Sequence, residues 1–509
     1  MSRFIGTETE YGIATPSDPL LSPIITSTHV VVGYAAGLQA QRSRWDFGNE
    51  HPLRDQRGFD LKRYHTVPVI DPNAIGVANL VLGNGARFYV DHAHPEYSAP
   101  ETTNAWDAFI YDAAGDIILN AAVESVNKLS SVGKSALDGH DPCPPLKIYK
   151  HNVDGKGASF GSHENYCYSR DIDFDTMAQA LIPFFVARQV VIGAGRVGLG
   201  ERGEEAGFQI SQRADYIETD ISLETTLNRG IINTRDEPHA AEDRFGRLHV
   251  IIGDANMSQT SNFLKLGMTS MVLDAIEAGT DFSDLKLSQP VAEVRRVSRD
   301  LTCTHQLQLC DGRQLTAIQI LREYRSRLTP RTEVDRTAYA LMGEVLDLLE
   351  QDPLATAHLL DWTAKLALLN GFIARGLQWN DPKLSLIDLQ YCDIDPEKSL
   401  YHALVRRGRM RTLVPEDAIR SAAFDPPTDT RAFFRGTMMQ KNPNDVLAAS
   451  WDTLQLRIDD NNIARIYLPE IGILGQADVE KLCPAGTAIS TLVDNLARTR
   501  LVEVQWVRG

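Results

Sequence analysis

The order in which strand-like and helix-like segments alternate is the feature that most constrains the fold of this 509-residue chain. Apolar residues repeat at the three- and four-residue spacing of a helix at residues 106–129, 261–278, 338–350 and 358–373. Strand patterns occur at residues 4–11, 86–90, 146–149, 248–253 and 291–298. Because these segments alternate without a steady strand–helix–strand rhythm, we expect an α+β fold with a largely antiparallel sheet backed by helices.

The pattern changes near residue 443, which predicts two domains. Residues 1–442 contain the strands and helices of a large first domain, whereas residues 443–509 contain short strands such as LQLRI and ARIYL and one terminal helix. Within the first domain, residues 39–79 are rich in charged side chains and have no sustained helical or strand period. Such a segment is either a disordered linker or a functional loop, and its pattern alone favours neither.

Composition and charge exclude several classes of protein. The chain has 51 basic and 67 acidic side chains, and this excess of acid argues against a large nucleic-acid interface. No stretch approaches the roughly 18 apolar residues of a membrane helix, and Glu8 and Glu10 lie where a signal peptide would need an apolar core. The six cysteines form no CxxC pair, which favours a reducing compartment. We therefore expect a cytoplasmic enzyme with neither nucleic acid nor membrane as a partner.

A glycine-rich motif at residues 193–198 matches the dinucleotide fingerprint GxGxxG. That fingerprint requires the glycines to open a helix whose N-terminus receives the pyrophosphate. The residues that follow contain two more glycines and no helical period, and the preceding apolar run has the pattern of a helix that ends there. We therefore predict that this motif is a helix exit and not a dinucleotide site.

Two carboxylates share one face of the first predicted strand. Because side chains alternate along a strand, Glu8 and Glu10 lie on one face while Ile5, Thr7 and Tyr11 lie on the other. Like charges at this separation repel unless a cation lies between them, and Mg²⁺ or Mn²⁺ prefers such oxygen ligands. Taken alone, the pattern favours a solvated strand face over a metal site.

The strand at residues 86–91 strengthens the functional interpretation. Arg87, Tyr89 and Asp91 share a face there, and Pro95 is expected to end the strand and turn Glu96 back toward it. A guanidinium, a phenol and two carboxylates within ten residues could hold a phosphate, a metal ion and a proton acceptor. A surface ladder of ion pairs is the alternative. Further candidate residues lie in later polar segments: His163, Arg213, Arg235 and His249.

The sequence His92-Ala93-His94 also resembles the HxH metal pair of amidohydrolases built on a TIM barrel. That fold needs regular strand–helix repeats and further ligands at later strand ends, and neither is visible in this sequence. The amidohydrolase interpretation is therefore the weaker one.

Five motifs resemble the family of Pup ligases and depupylases of actinobacteria, which is related to glutamine synthetase and γ-glutamyl-cysteine ligase. They are GTETEYG, NGARFYVDHAHPEY, GSHENY, INTRDEPHA and HVIIGDANMS, and WNDPKL and SWDTL extend the resemblance over nearly the whole chain. The ligase branch has a short connection between its first strand and its Asp strand, whereas the depupylase branch has an extra mobile loop. About 80 residues separate Glu10 from Asp91 in this chain, including residues 39–79, and the form DHAHPEY also favours the depupylase branch.

The resemblance implies a curved, glutamine-synthetase-like sheet that holds ATP and Mg²⁺. It implies that Glu8, Tyr89 and Glu96 are metal ligands, with Glu10, His163 and His249 as further candidates. Asp91 would be the catalytic carboxylate. The nucleotide contacts implied are Arg87, Ser98, Arg213, Arg235 and Trp451, of which Trp451 is the weakest because its flanking sequence is less distinctive.

The activity that the resemblance implies is hydrolysis at the C-terminus of Pup. The substrate is either the isopeptide bond between the C-terminal Glu of Pup and a lysine of a pupylated protein, or the side-chain amide of a C-terminal Gln. ATP, or ADP with phosphate, would be a bound cofactor that is not consumed stoichiometrically. Asp91 would act as a nucleophile or as a general base, and the sequence leaves both open. We expect a monomer.

Two alternatives remain for the activity. The first is a Pup–protein ligase that consumes ATP through a γ-glutamyl phosphate, against which the long segment and DHAHPEY argue. The second is a catalytically silent protein that binds nucleotide and sequesters Pup. The presence of Glu8, Tyr89, Asp91 and Glu96 together argues against silence, since such a protein would have no need of the reactive acid.

Overall fold

The computed structural model describes residues 3–38, 44–49, 54–57, 75–484 and 486–508. The predicted insertion loop at residues 39–79 is therefore covered only in part, and residues 39–43, 50–53 and 58–74 lie outside the described residues. None of the helices among the described residues is long and apolar enough to span a lipid bilayer.

The strands are mostly short, and many of them join through a turn to an antiparallel neighbour. They are β1 (Ile5–Glu10), β2 (Gly12–Ala14), β3 (Arg44–Trp45), β4 (Asn79–Val81), β5 (Arg87–Asp91), β6 (His94–Ser98), β7 (Lys147–Tyr149), β8 (Ser162–Ser169), β9 (Arg196–Leu199), β10 (Glu205–Gln209), β11 (Ile217–Ser222), β12 (Arg229–Asn233), β13 (Phe245–Val250), β14 (Gln306–Gln308), β15 (Gln314–Thr316), β16 (Val446–Ala449), β17 (Thr453–Arg457), β18 (Asn462–Tyr467) and β19 (Glu503–Arg508).

The helices lie mainly in the middle of the chain. They are α1 (Pro23–Leu38), α2 (Ala105–Ser131), α3 (Phe174–Ile192), α4 (Gln259–Glu277), α5 (Pro290–Arg299), α6 (Ala317–Arg327), α7 (Glu333–Gln351), α8 (Asp361–Ile373), α9 (Pro382–Tyr391), α10 (Leu400–Arg406), α11 (Glu416–Phe424), α12 (Ala432–Lys441), α13 (Gln476–Leu482) and α14 (Ile489–Arg498). Short 3-10 helices occur at Phe47–Asn49, Ala214–Tyr216, Ser283–Leu285 and Pro353–Thr356.

The main sheet has eight strands in the order β11-β12-β13-β8-β1-β6-β5-β4. Its neighbours pair antiparallel except β11 and β12, which are parallel, so the expected α+β fold with a largely antiparallel sheet is confirmed. Strand β1 lies in the middle, with β6 on one side and β8 on the other. Side chains from β1, β5, β6, β8 and β13 can therefore meet on one face.

The opposite face of the sheet packs against helices. Thr9 of β1 donates a 3.0 Å hydrogen bond to Asp112 of α2, and Tyr11 donates a 2.7 Å hydrogen bond to Asp116. Asn104 caps the N-terminus of α2 by accepting from the backbone N–H of Asp107. The largest apolar core surrounds α3 and α4, and a second lies between α1, α2 and the β4–β6 side of the sheet. This packing fixes the orientation of β1 and so of its polar face.

A second sheet has the strand order β19-β18-β17-β16-β3. Strands β16 to β19 come from residues 443–509, but β3 comes from residues 39–79 and pairs parallel with β16. One face of this sheet packs on α12, α13 and α14. The domain boundary at residue 443 stays a prediction, and the expected single terminal helix is wrong, since α13, α14 and β19 all follow.

The four helices predicted from periodicity are confirmed as α2, α4, α7 and α8. The strand predicted at residues 291–298 is wrong, because these residues form α5. Pro290 occupies the first turn of this helix, and the buried residues Val294 and Val297 have helical spacing. Pro95 does not end a strand, because the turn lies at His92, with φ of 53°, and β6 runs through Pro95.

The glycine motif at residues 193–198 is a helix exit, as predicted. Helix α3 ends at Ile192, and the next element is the strand β9, so no helix N-terminus follows the glycines. The main sheet is not a closed ring of parallel strands, which removes the TIM-barrel interpretation of His92 and His94.

Candidate functional site

Polar side chains form two neighbouring rows across one face of the main sheet. Residues that lie directly opposite in neighbouring antiparallel strands share a face, so the strand register fixes both rows. The first row consists of His163, Glu8, Ser98 and Arg87, on β8, β1, β6 and β5. The second row consists of Glu10, Glu96 and Tyr89, and the next pair beyond it is Asp91 and His94.

Glu8 lies at the centre of the first row with positive and polar groups around it. Its Oε2 lies 3.1 Å from Nδ1 of His163, and its Oε1 accepts hydrogen bonds from Arg247 at 2.9 Å and from Asn165 at 3.1 Å. Burial opposes ionisation of this carboxyl, but the charge of Arg247 and the hydrogen bond with His163 hold its pKa well below the usual range. Glu8 is therefore an anion at neutral pH.

His249 presents an unpaired ring nitrogen to this group. Asn165 donates from Nδ2 to Glu8, and its Oδ1 faces Nδ1 of His249, 2.8 Å away; Nη2 of Arg247 lies 3.2 Å from the same ring nitrogen. The other nitrogen, Nε2, is buried and has no hydrogen-bond partner. Burial, Arg247 and His163 hold the pKa of His249 well below its usual value, so the ring is neutral. A neutral imidazole with a free lone pair is the form that binds a metal ion.

Three carboxylates meet in the second row. Oxygen atoms of Glu10, Asp91 and Glu96 lie within 4.8 Å of one another, and Tyr89 donates a 2.6 Å hydrogen bond to Oε1 of Glu96. Burial, Asp91, Glu10 and Glu8 raise the pKa of Glu96 well above its usual value. The mutual repulsion of these carboxylates would be relieved by a cation between them.

Asp91 differs from its neighbours in exposure. Its side chain is 39% exposed and its carboxylate lies 3.1 Å from Nδ1 of His92. Burial opposes ionisation, but the hydrogen bond and charge of His92, together with His163 and Arg87, lower the pKa of Asp91 below its usual value. Asp91 is therefore an ionised and accessible carboxylate, which suits it to attack a carbonyl carbon or to take a proton from water.

The side chains fit divalent cations in two neighbouring positions. Ligand atoms of Glu8, His163 and His249 lie within 4.8 Å of one another, as do those of the three carboxylates in the second row. The first set contains the buried Nε2 atom without a partner, and the second has carboxylates that repel one another. Both donor sets suit Mg²⁺ or Mn²⁺, although the imidazoles favour Mn²⁺.

Two clefts open on either side of Glu8. The first cleft is lined by Ser98, Glu101, Arg431, Trp451 and Ile471 among others. We call it the nucleotide cleft because Ser98 and Trp451 are among the nucleotide contacts that the family resemblance implies. The Asp91 cleft is lined by Asp91, Glu96, Phe160, Arg213 and Arg229 among others. Four residues line both clefts: Glu8, Arg87, Tyr89 and Arg235. An extended ligand in the first cleft would place one end at these four residues, next to Asp91.

Arg87 packs against two aromatic rings at this junction. Its guanidinium carbon lies 4.1 Å from the centroid of the Trp45 ring and 3.9 Å from that of Tyr89. Nε of Arg87 donates to Asn79 at 3.3 Å. Trp45 in turn meets the ring of Trp451 edge-on, with centroids 5.3 Å apart. The guanidinium is thus fixed by packing at the point where both clefts meet.

All twelve residues singled out from the sequence lie at this site, although in different parts of it. Ser98 and Trp451 line the nucleotide cleft alone, whereas Arg213 lines the Asp91 cleft alone. His249 is fully buried and reaches the site through Glu8 and His163. Arg213 is buried as well, and it donates a hydrogen bond to the backbone carbonyl of Phe160.

Sequence reasoning missed four residues that support the site: Asn165, Arg247, Trp45 and Glu101. Asn165 and Arg247 lie two positions from His163 and His249, so strand alternation would have placed them on the same face. Trp45 and Glu101 reach the site only through the tertiary fold. No local signal in the sequence indicates their position.

Glu101 forms a buried ion-pair group beside the nucleotide cleft. Arg431 donates from Nε to Glu101 at 2.9 Å, and Arg435 also donates to this carboxylate. Burial opposes ionisation, but Arg435 and Arg431 lower the pKa of Glu101 to about 2. Arg435 also donates to the backbone carbonyl of Trp451 at 3.0 Å. The group connects the main sheet to the second sheet.

Sequence comparison with known proteins identifies relatives that act on Pup according to their names. The Pup-ligase protein family matches residues 3–455 of the chain. The chain is 52% identical to a Pup deamidase/depupylase of Mycolicibacterium smegmatis over 477 residues, 92% of this chain and 94% of that protein. It is 37% identical to a Pup–protein ligase of Micrococcus luteus over 413 residues, 78% of this chain and 87% of that protein.

Two solved structures share the fold. The complex between Pup and its ligase PafA gives a TM-score of 0.77 at 28% identity, covering 98% of this chain and 94% of that chain. PafA in complex with ADP gives a TM-score of 0.71 at 29% identity, covering 87% of this chain and 97% of that chain.

Proposed function

Because this chain belongs to the Pup-ligase protein family, we propose that it is an isopeptide and amide hydrolase that acts on the C-terminus of Pup. It cleaves the bond between the C-terminal Glu of Pup and a lysine of a pupylated protein. It also converts a C-terminal Gln of Pup to Glu. Pup and pupylated proteins are therefore its partners, and we propose that it acts as a monomer in the cytoplasm.

One observation carries this proposal: the identity to a Pup deamidase/depupylase is 52% over nearly the whole length of both chains. The identity to a Pup–protein ligase is 37% and covers less of the chain. Asp91 supports the proposal independently, because it is an ionised, accessible carboxylate at the junction of two clefts. That arrangement places a reactive oxygen beside the end of an extended ligand.

We propose Mg²⁺ and ATP as bound cofactors. Nucleotide would lie in the nucleotide cleft with its phosphates at Arg87 and Arg235, in keeping with the ADP held by PafA. Glu8, Glu96 and Tyr89 would hold Mg²⁺, with Glu10, His163 and His249 as further donors. The bound cation and phosphates would supply charge that polarises the substrate carbonyl. Amide hydrolysis is downhill, so the nucleotide needs no stoichiometric turnover.

We propose separate roles for the arginines and for Asp91 in the reaction. The γ-carbonyl of the C-terminal residue of Pup would enter the Asp91 cleft, where Arg235 and Arg213 orient it. Asp91 either attacks this carbon directly or takes the proton of a water molecule that attacks it. On the first route the amine or ammonia leaves with a proton from solvent, and water then hydrolyses the anhydride between Asp91 and Pup. On the second route the amine or ammonia leaves with the proton that Asp91 took from water. Both routes consume one water molecule and leave the γ-carboxylate of Pup and the free Asp91 carboxylate.

A Pup–protein ligase is the second candidate function. The specific observation in its favour is that the two solved structures compared above are structures of the Pup ligase PafA. A ligase would use the same carboxylate and clefts to activate the γ-carboxylate of Pup with ATP. The identities favour the hydrolase.

One incubation separates the two functions. Purified protein is mixed with Mg²⁺, ATP and a Pup–lysine conjugate; free Pup is followed by gel and ADP by chromatography. Release of Pup with far less than one ADP per Pup supports the hydrolase. Absence of release, with ADP formed in step with new conjugates when Pup and a target protein are supplied, would show that the ligase is correct.

A further inference from the structure

Residues 44–49, which we call the Trp45 segment, dock onto the second sheet beside the nucleotide cleft. The backbone N–H of Asp46 donates to Ala449 at 2.8 Å, and Trp45 lies opposite Ala449 in a parallel strand pair. The Trp45 side chain is 5% exposed and packs in the apolar core of this sheet. The segment is therefore held by both its backbone and its largest side chain.

Asp46 anchors the segment through its carboxylate. Oδ2 of Asp46 accepts hydrogen bonds from Arg465 at 2.9 Å, from Gln455 at 2.8 Å and from Thr453 at 3.2 Å. These three donors lie on β17 and β18, so the anchor ties the segment to the middle of the sheet. Such charge-assisted contacts are stronger than neutral hydrogen bonds.

The anchored Trp45 ring covers one side of the Arg87 guanidinium. The distance of 4.1 Å from the guanidinium carbon to the ring centroid is that of a cation–π contact, and the same carbon lies 3.9 Å from the centroid of the Tyr89 ring. A guanidinium that packs against two rings loses much of its rotational freedom. A phosphate would meet an Arg87 whose orientation is already set.

We propose that Trp45 is a positioning residue for Arg87 and that it raises the affinity for nucleotide phosphates without touching the nucleotide. This inference rests on the proposed role of Arg87 in nucleotide binding. It assigns a function to a segment between β1 and β5, in the part of the chain whose sequence pattern favoured neither linker nor loop. Trp45 is absent from the lining of both clefts, whereas Arg87 lines both.

A double-mutant cycle tests the inference, with Mg²⁺ and ADP as the probe and isothermal titration calorimetry as the measurement. Trp45→Ala should raise the Kd for ADP about three- to thirty-fold, the range of a partly buried cation–π contact. In an Arg87→Ala background the same change should alter the Kd less than about twofold, because Trp45 then has no Arg87 side chain to position. Trp45→Phe keeps an aromatic face and should restore most of the affinity.

Two further variants separate positioning from general damage. Asp46→Ala keeps the Trp45 side chain but removes the anchor that holds its segment, so it should raise the Kd for ADP in the wild-type background and not in the Arg87→Ala background. Trp506→Ala is the matched control, since this tryptophan is 54% exposed on β19 of the same sheet. It should leave the Kd unchanged, and thermal unfolding checks that every variant is folded.

Three results would overturn the inference. An equal loss from Trp45→Ala in both backgrounds would mean that Trp45 contacts the nucleotide or acts through stability. An Arg87→Ala variant that binds ADP as tightly as the wild type would remove the role on which the inference rests. A Trp45→Ala variant whose affinity for ADP is unchanged would show that Trp45 does not position Arg87. All three results concern the affinity for ADP, and none depends on whether the wild type releases Pup. The proposed hydrolase activity is therefore tested separately.

Discussion

Tyr89 on β5 donates a 2.6 Å hydrogen bond to Glu96, which lies directly opposite it on β6. The same tyrosine ring lies 3.9 Å from the guanidinium carbon of Arg87. One side chain thus contacts both the carboxylate row and the arginine at the junction of the two clefts. The two kinds of contact can be separated, because only the first needs the phenolic oxygen.

Tyr89→Phe should weaken metal binding while Arg87 stays in place. The change removes the hydrogen bond to Glu96 but keeps the ring over the guanidinium. We expect the affinity for Mn²⁺, measured by electron paramagnetic resonance, to fall about 10- to 100-fold, as is typical when a group that holds or orients a metal ligand is lost. Tyr216→Phe, in the Asp91 cleft, is the matched control. An unchanged affinity for Mn²⁺ in Tyr89→Phe would contradict the assignment.

Asp91→Asn should abolish turnover and leave nucleotide binding intact. The amide has the shape of the carboxylate but can neither attack a carbonyl nor accept a proton from water. We expect the rate of Pup release to fall at least about 100-fold, with the Kd for ADP unchanged. Glu218→Gln, an exposed carboxylate on β11 that lines the same cleft, should keep near-normal activity. Near-normal turnover by Asp91→Asn would rule out both roles considered for this residue.

The positions of Arg213 and Arg235 predict different kinetic effects. Arg213 lines only the Asp91 cleft, whereas Arg235 lines both clefts. Arg213→Gln should therefore raise the KM for Pup about tenfold or more with little effect on the Kd for ADP. Arg235→Gln should raise both constants.

Arg202→Gln, an exposed arginine, serves as the control for the loss of a positive charge, and thermal unfolding checks that the buried Arg213 can be replaced. An Arg213→Gln variant that weakens ADP binding as strongly as Arg235→Gln would assign Arg213 to the nucleotide instead. The effect of Arg213→Gln on the KM for Pup would then be indirect.

Much of the carboxylate face could be predicted because strand alternation is a local property. The period of two placed Glu8 with Glu10, and Arg87 with Tyr89 and Asp91, without knowledge of any partner strand. What alternation cannot give is the register between distant strands. The contact between Arg247 and Glu8 joins residues 239 positions apart, and only the pairing of β13 with β8 and of β8 with β1 brings them together.

Each wrong or missing prediction has a physical cause. The segment at residues 291–298 contains three valines, which favour a strand, but its packing on α3 buries only one stripe and it folds as a helix. Pro95 was expected to end a strand because proline lacks an N–H group. It lies instead at the second position of β6, and the strand continues beyond it to Ser98. Trp45 was unpredictable, because its partner strand β16 lies about 400 residues further along the chain.

The ion-pair group around Glu101 predicts an acid-sensitive contact between the two sheets. Its pKa is about 2 in the folded protein and about 4.5 in the unfolded chain, so the unfolded state binds the proton first. The stabilisation is fully present above about pH 4.5 and is lost as the pH falls toward 2, mostly below about pH 4. Glu101→Gln should therefore lower the free energy of unfolding by about 3 kcal/mol at neutral pH.

The test compares wild type and Glu101→Gln by urea denaturation from pH 7 to pH 3. The difference between them should be constant down to about pH 5 and should shrink below it. Glu124→Gln, an exposed carboxylate on α2, is the matched control and should follow the wild type throughout. A difference that stays constant to pH 3 would show that Glu101 stabilises the contact through its shape and hydrogen bonds, with no contribution from its charge.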